Sequence, residues 1–217
     1  MHSTKRLFTG LMAAGLLVAA GVAAAADNMS HAHMGHVMTG WSDTPGGAGL
    51  LPTAEAEAQI AMQHAKLAAE KTDDLAWMQM HIAHVVHAVD PTVEPNGPGK
   101  GYGLIKAATG VSQHIGFAAK SDDASDNVRL HAEHVSASAD NVVVRAQEIV
   151  VIAKMVAAAK TPGEARAGVA EIYALCEHII AGYDANGDGQ TTWHGGEGGL
   201  NQARAHMGFM MDGEGLS

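Results

Sequence analysis

The chain has 217 residues, with 23 acidic side chains against 13 basic ones and a formal charge of −10. That balance argues against binding nucleic acid or an anionic membrane surface, and it suits cations. A lone cysteine excludes an internal disulfide, and the absence of C-x-x-C-H excludes covalent c-type haem. Scarce aromatics beside abundant alanine point to a helical protein.

Lys5 and Arg6 precede an apolar run from Leu7 to Val22 that ends in Ala23-Ala24-Ala25-Ala26. A basic start, an apolar middle and an A-x-A exit predict a secretory signal peptide over residues 1–26, cleaved before Asp27. The expected product is periplasmic or secreted, with no membrane segment after cleavage and, without Lys5 and Arg6, more acidic still.

Residues 27–51 are rich in glycine and small polar residues and show no helical or strand period, so they are expected to form a flexible arm. The arm carries His31, His33, Met34, His36 and Met38. Alternating imidazole and thioether is a donor set that copper accepts, which makes the arm a candidate for metal capture or delivery.

A helical bundle is expected over 52–217. Its first helix should open after Pro52, with Thr53 as N-cap, and run to about Lys71 with Ile60, Leu67 and Ala68 as its apolar stripe. The second should run from Asp74 to Asp90, where Pro91 stops it. It bears no charge along Leu75–Val89. At 100° per residue, Met78, Ile82, Val85, Val86 and Val89 share one face, and His84 centres the opposite one, with His81 and His87 about 60° to either side. Both faces therefore expect cover. The loop 91–103 has glycines but neither Walker spacing nor a preceding strand, so it is no nucleotide site.

A short helix follows from Leu104 to about Ala119. Ser121-Asp122-Asp123 should cap the longest helix, whose stripe includes Val128, His131, Val135, Val142, Ala146, Ile149, Ala153 and Val156, with His134 to its side. Thr161-Pro162 opens the next, whose stripe takes in Val169, Ile172, Cys176, Ile179 and Tyr183, so the thiol belongs to the core. Four main helices and a short one, with no alternation that would support a sheet, make an all-α bundle.

The most specific motif is Asp184-Ala-Asn186-Gly-Asp188-Gly189-Gln190-Thr-Thr192. It resembles the first nine positions of an EF-hand loop, with oxygen donors at one, three and five, glycine at six and further donors at seven and nine. Position twelve is Gly195 instead of glutamate, and Glu197, after two glycines, is the substitute ligand. The resemblance implies calcium held by Asp184, Asn186, Asp188, Gln190, Thr192 and Glu197 within a helix-loop-helix over 165–211.

Histidines three apart on a helix are ready chelating pairs. His81 with His84, His84 with His87, and His131 with His134 have that spacing. If their helices face each other, His81, His84, His131 and His134 form one transition-metal site with His87 outside it. Imidazole suits zinc, copper, nickel and iron, and the many methionines favour copper. His64, His114 and His178 are expected to be ordinary histidines hydrogen-bonded to backbone.

Two other readings remain open. One is haem b held between one histidine from each of two helices. The other is a calcium-stabilised interaction module whose histidine face meets a second copy or a periplasmic partner. No Glu-x-x-His pairs support a di-iron site, no His-Glu-x-x-His a zinc hydrolase, and no nucleophile setting an enzyme.

Overall fold

A computed structural model describes residues 28–217. The expected signal peptide lies outside the described residues. The described residues fold into seven α-helices: α1 (Met29–Met38), α2 (Leu50–Glu70), α3 (Leu75–Val89), α4 (Leu104–Lys120), α5 (Asp126–Ala158), α6 (Pro162–Ala181) and α7 (Leu200–Gly213). No strand occurs among the described residues, and none of their helices is long and apolar enough to cross a membrane.

The long helix α5 is the hub. It packs on α3, α4, α6 and α7, while α2 packs on α3, α4 and α6. The apolar stripe expected for α5 is buried at Val128, Val135, Val142, Ala146, Ile149, Ala153 and Val156. Its cap is Ser125, four residues later than the first residue expected, because the Ser125 hydroxyl reaches the N–H of Val128 at 3.0 Å. Helix α3 matches its expected span, capped by Asp74, and its aliphatic face is buried from Met78 to Val89. Cys176 lies in the core, and burial pushes its thiol up to about 12.

Two stretches differ from expectation. Residues 27–51 contain a docked helix in place of a flexible arm. Asn28 caps α1 by accepting from the His31 N–H at 2.9 Å, and Ser30, Met34 and Val37 are buried. The helix sits on α4 and α2, and His31 Nε2 lies 3.0 Å from Glu214 at the far end of the chain. Tertiary contact, not local amphipathicity, supplies the stability of so short a helix.

Helix α2 begins at Leu50 rather than after Pro52. Proline in a first turn removes an N–H that has no helical partner, so the turn can wind through it. Thr53 is no cap: it is buried, and its hydroxyl donates to the Gly49 carbonyl at 2.8 Å. The buried face of α2 is a run of alanines (Ala54, Ala58, Ala61, Ala65 and Ala68), while Ile60 and Leu67 are half-buried. Small side chains let neighbouring helices approach closely, which matters for the sites below.

Buried charge organises the connections. Glu57 is wholly buried, and its carboxylate accepts the N–H groups of Lys100, Tyr102 and Gly103 at 3.0, 3.1 and 3.0 Å. This ties the 91–103 loop to α2. Arg145 of α5 is also buried and donates to the carbonyls of His178, Gly196, Glu197 and Gly198. A guanidinium against the C-terminal carbonyls of α6 is favourably placed in the helix dipole. It clamps the α6–α7 connection to the bundle.

Candidate metal centres

Among the described residues, three groups of three or more His, Cys, Asp or Glu side chains bring ligand atoms together. They are His33–His36–His114, His64–His81–His84 and His131–His134–His206. Each joins a pair three residues apart on one helix to a single histidine on a contacting helix: α1 with α4, α3 with α2, and α5 with α7.

The geometry repeats. The Nδ1 of His114 lies 3.1 Å from that of His33 and 3.3 Å from that of His36. The Nδ1 of His64 lies 2.9 Å from that of His81 and 3.4 Å from that of His84. The Nδ1 of His206 lies 3.1 Å from that of His131 and 3.2 Å from that of His134. A neutral ring nitrogen offers either one N–H or one lone pair, so hydrogen bonding alone cannot properly satisfy a nitrogen facing two others. Imidazole nitrogens bind small transition ions at about 2.0–2.1 Å, and ligands between a right angle and the tetrahedral angle are then about 2.9–3.4 Å apart. The observed separations fall in that range.

For seven of these rings the surroundings favour the neutral form. Burial first, then the neighbouring imidazoles, pushes His64 and His206 down to about 4. His33, His81, His114, His131 and His134 are also lowered, with burial the leading cause in each. A neutral imidazole is the form that binds metal.

Aromatic rings frame every cluster. Each of the three tryptophans lies beside one. Trp41 is 4.6 Å from His36 and 4.5 Å from His114, Trp77 is 4.4 Å from His81, and Trp193 stacks on His134 at 4.1 Å. Phe117 and Phe209, each three residues past the single histidine of its cluster, lie at the rim of two sites.

Several expectations are redrawn by this arrangement. His81–His84 and His131–His134 do not meet across the bundle, because each pair is turned towards a different helix. His87 joins neither. It is buried beneath the 91–103 loop, with Nδ1 2.9 Å from the Glu94 carbonyl and Gly97 and Gly99 packed so closely that a Cβ on either would clash with it. Within α1, His33 and His36 enter a cluster, His31 pairs with Glu214, Met34 is core, and Met38 lies 3.4 Å from Arg204. His64 and His114, expected to be ordinary, are the third members of two clusters. His178 stacks instead on Tyr183, which was expected on the apolar stripe but lies past the end of α6 and is exposed.

Sequence reasoning overlooked His206 and a repeat that was in plain view. His-x-x-His-Val occurs at 33–37, 81–85 and 131–135. In each, the residues three before, one after and four after the first histidine are buried: Ser30, Met34 and Val37; Met78, Ile82 and Val85; Val128, Ala132 and Val135. The third histidines repeat the same register, with Ala61, Ala65 and Ala68; Val111, Ile115 and Ala118; and Ala203, Met207 and Met210 buried around them. Identical burial places the histidines at identical edges of their helix interfaces.

The α6–α7 connection turns about Asp184, and its acids are not among the groups above. Asp184 accepts the N–H groups of Gly187, Asp188 and Gly189 at 2.7, 3.1 and 2.7 Å, and Gly189, at the sixth position, takes φ +85°. Glu197 is buried and accepts from the N–H and hydroxyl of Thr192 at 2.9 and 2.8 Å. Those bonds hold its carboxyl below the usual range. No family model, curated protein or solved structure matches this chain.

Proposed function

We propose that this is an exported, histidine-rich helical protein that binds transition-metal ions, copper foremost, through the three trihistidine clusters. The observation that carries this reading is the convergence of three Nδ1 atoms in each cluster, with a central nitrogen facing two others. A shared ion resolves a contact that protons cannot. Copper leads because it accepts imidazole in either oxidation state. Thioether ligation contributes little, since Met34, Met78, Met207 and Met210 are core residues.

An ion fits this geometry better than haem. Nitrogens 2.9–3.4 Å apart leave no gap for a porphyrin plane. The interaction-module reading also loses its motive, because α2 already lies against the histidine face of α3. For the connection at 184–197 we propose a structural calcium ion. The inward carboxylate of Glu197 and the glycine at position six support it, and Gly195 and Gly196, at φ +57° and +86°, lengthen the loop enough to bring Glu197 round. The leader-like start supports delivery to the periplasm.

Elemental analysis of the purified protein, equilibrated with copper and calcium and then dialysed, tests the proposal. Bound copper lost on H64A/H114A/H206A, with calcium retained, is the expected outcome. Copper content unchanged by those substitutions would place the site elsewhere.

A further inference from the structure

The three clusters share more than geometry, and what they share bears on the charge of the ion. Every candidate ligand is an imidazole, which brings no negative charge to an ion; no carboxylate or thiolate belongs to any cluster. Zinc-binding histidines usually donate their other N–H to a carboxylate or carbonyl, which helps compensate the dication. Here the hydrogen-bond-distance contacts of the nine rings run through Nδ1, and none of these nine rings has an Nε2 partner among the described residues. The Nε2 of His81 is buried as well as unpartnered. The acidic groups nearest His81 and His134, Glu70 and Glu133, make no hydrogen bond to either ring.

At the α2–α3 cluster a cationic side chain stands beside the site as well as Glu70. Lys71 Nζ lies 3.7 Å over Trp77, whose ring lies against His81. Removing a charge from water costs free energy in proportion to its square, so a monovalent ion pays about a quarter of the penalty of a divalent one. Phe117, Leu67 and Phe209 occupy the same register, three residues past the single histidine, and an indole lies beside each cluster. No further His, Cys, Asp or Glu joins any cluster to stand in for the fourth ligand that zinc takes at trihistidine sites. A d10 monovalent copper ion is content with three donors, and a nearby indole face favours a cation.

Resting on the metal-binding reading above, we infer that the cargo is copper(I), one ion per cluster and three per chain, held by three imidazoles with no fourth protein ligand. The clusters lie between different helix pairs and share no residue, so they fill independently.

The test is an anaerobic titration of the full protein with copper(I) against a chromophoric copper(I) chelator, alongside zinc(II) and copper(II) titrations with their own indicators. Three equivalents of copper(I) are expected, matching the clusters, with binding on the order of 100-fold tighter than zinc(II). Tryptophan fluorescence should be quenched as they fill. H64A, H114A and H206A should each lower the capacity by one equivalent and remove the quenching of Trp77, Trp41 and Trp193 respectively. Far-UV circular dichroism verifies that each variant stays helical, and the milder H64N repeats the test should H64A unfold. Zinc(II) or copper(II) filling the sites as tightly as copper(I) would overturn the monovalent assignment and leave transition-metal binding intact. A capacity of one would overturn the threefold assignment. No transition metal bound in any titration would sink both readings.

Discussion

His81, His84 and His87 stand three apart on one helix, and in sequence the pair 81–84 looks no different from 84–87. The fold gives them separate work. His81 and His84 face α2, where His64 meets both rings. His87, almost one turn further on, faces the 91–103 loop, and a carbonyl occupies its Nδ1. What lies opposite decides whether an imidazole meets other imidazoles or backbone. An alanine-faced helix brings a histidine within reach of two more; a glycine-rich loop brings only backbone.

The largest expected effect breaks the comparison on its ligand side. H64A/H114A/H206A should lose all bound copper while keeping its helix content, because each replaced ring is at the edge of its interface and the buried residues around it are untouched. H87A should keep the full copper content. Elemental analysis and circular dichroism measure both, and an H87A protein that loses copper would mean that the two ends of α3 do not differ as described.

The loop side breaks at Glu57. E57A strips the acceptor from three backbone N–H groups and should cost about 3 kcal/mol in denaturant unfolding, with metal capacity preserved in the folded fraction. H87A should cost less, about 2 kcal/mol, through one lost hydrogen bond and a void under Gly97 and Gly99. If H87A unfolds no sooner than the parent, the ring is not supporting the loop.

Acid sharpens the same contrast with a smaller effect. In metal-free protein, His64 and His206 stay neutral down to about 4, whereas unfolded histidines take up protons from about pH 6.5 downwards. The unfolded state therefore binds more protons between those values, and stability should fall as pH drops from about 6.5 to about 4. Melting temperature followed over that range in parent and H64A/H206A checks this; an equal slope in both would show that these rings do not carry the dependence.

Much was legible in advance because it depends on local periodicity. The span of α3, the burial along α5, the core position of Cys176 and the all-helical class follow from apolar residues recurring at helical spacing. That His81 stands with His84, and His131 with His134, was legible for the same reason. Helix α1 was hidden because its docking face includes Ser30 and glycine lies at its centre, so its order comes from α4, α2 and Glu214.

By itself, then, the sequence determined which histidines stand together on one helix, since a 3.6-residue turn fixes that within a few residues. The partner of each pair was decided only by tertiary structure. His64, His114 and His206 are single histidines with no local sign of their role, and two of them come from helices far along the chain from their pairs. Helix packing brings them in, and it does so three times because the same buried register recurs on both helices of each interface.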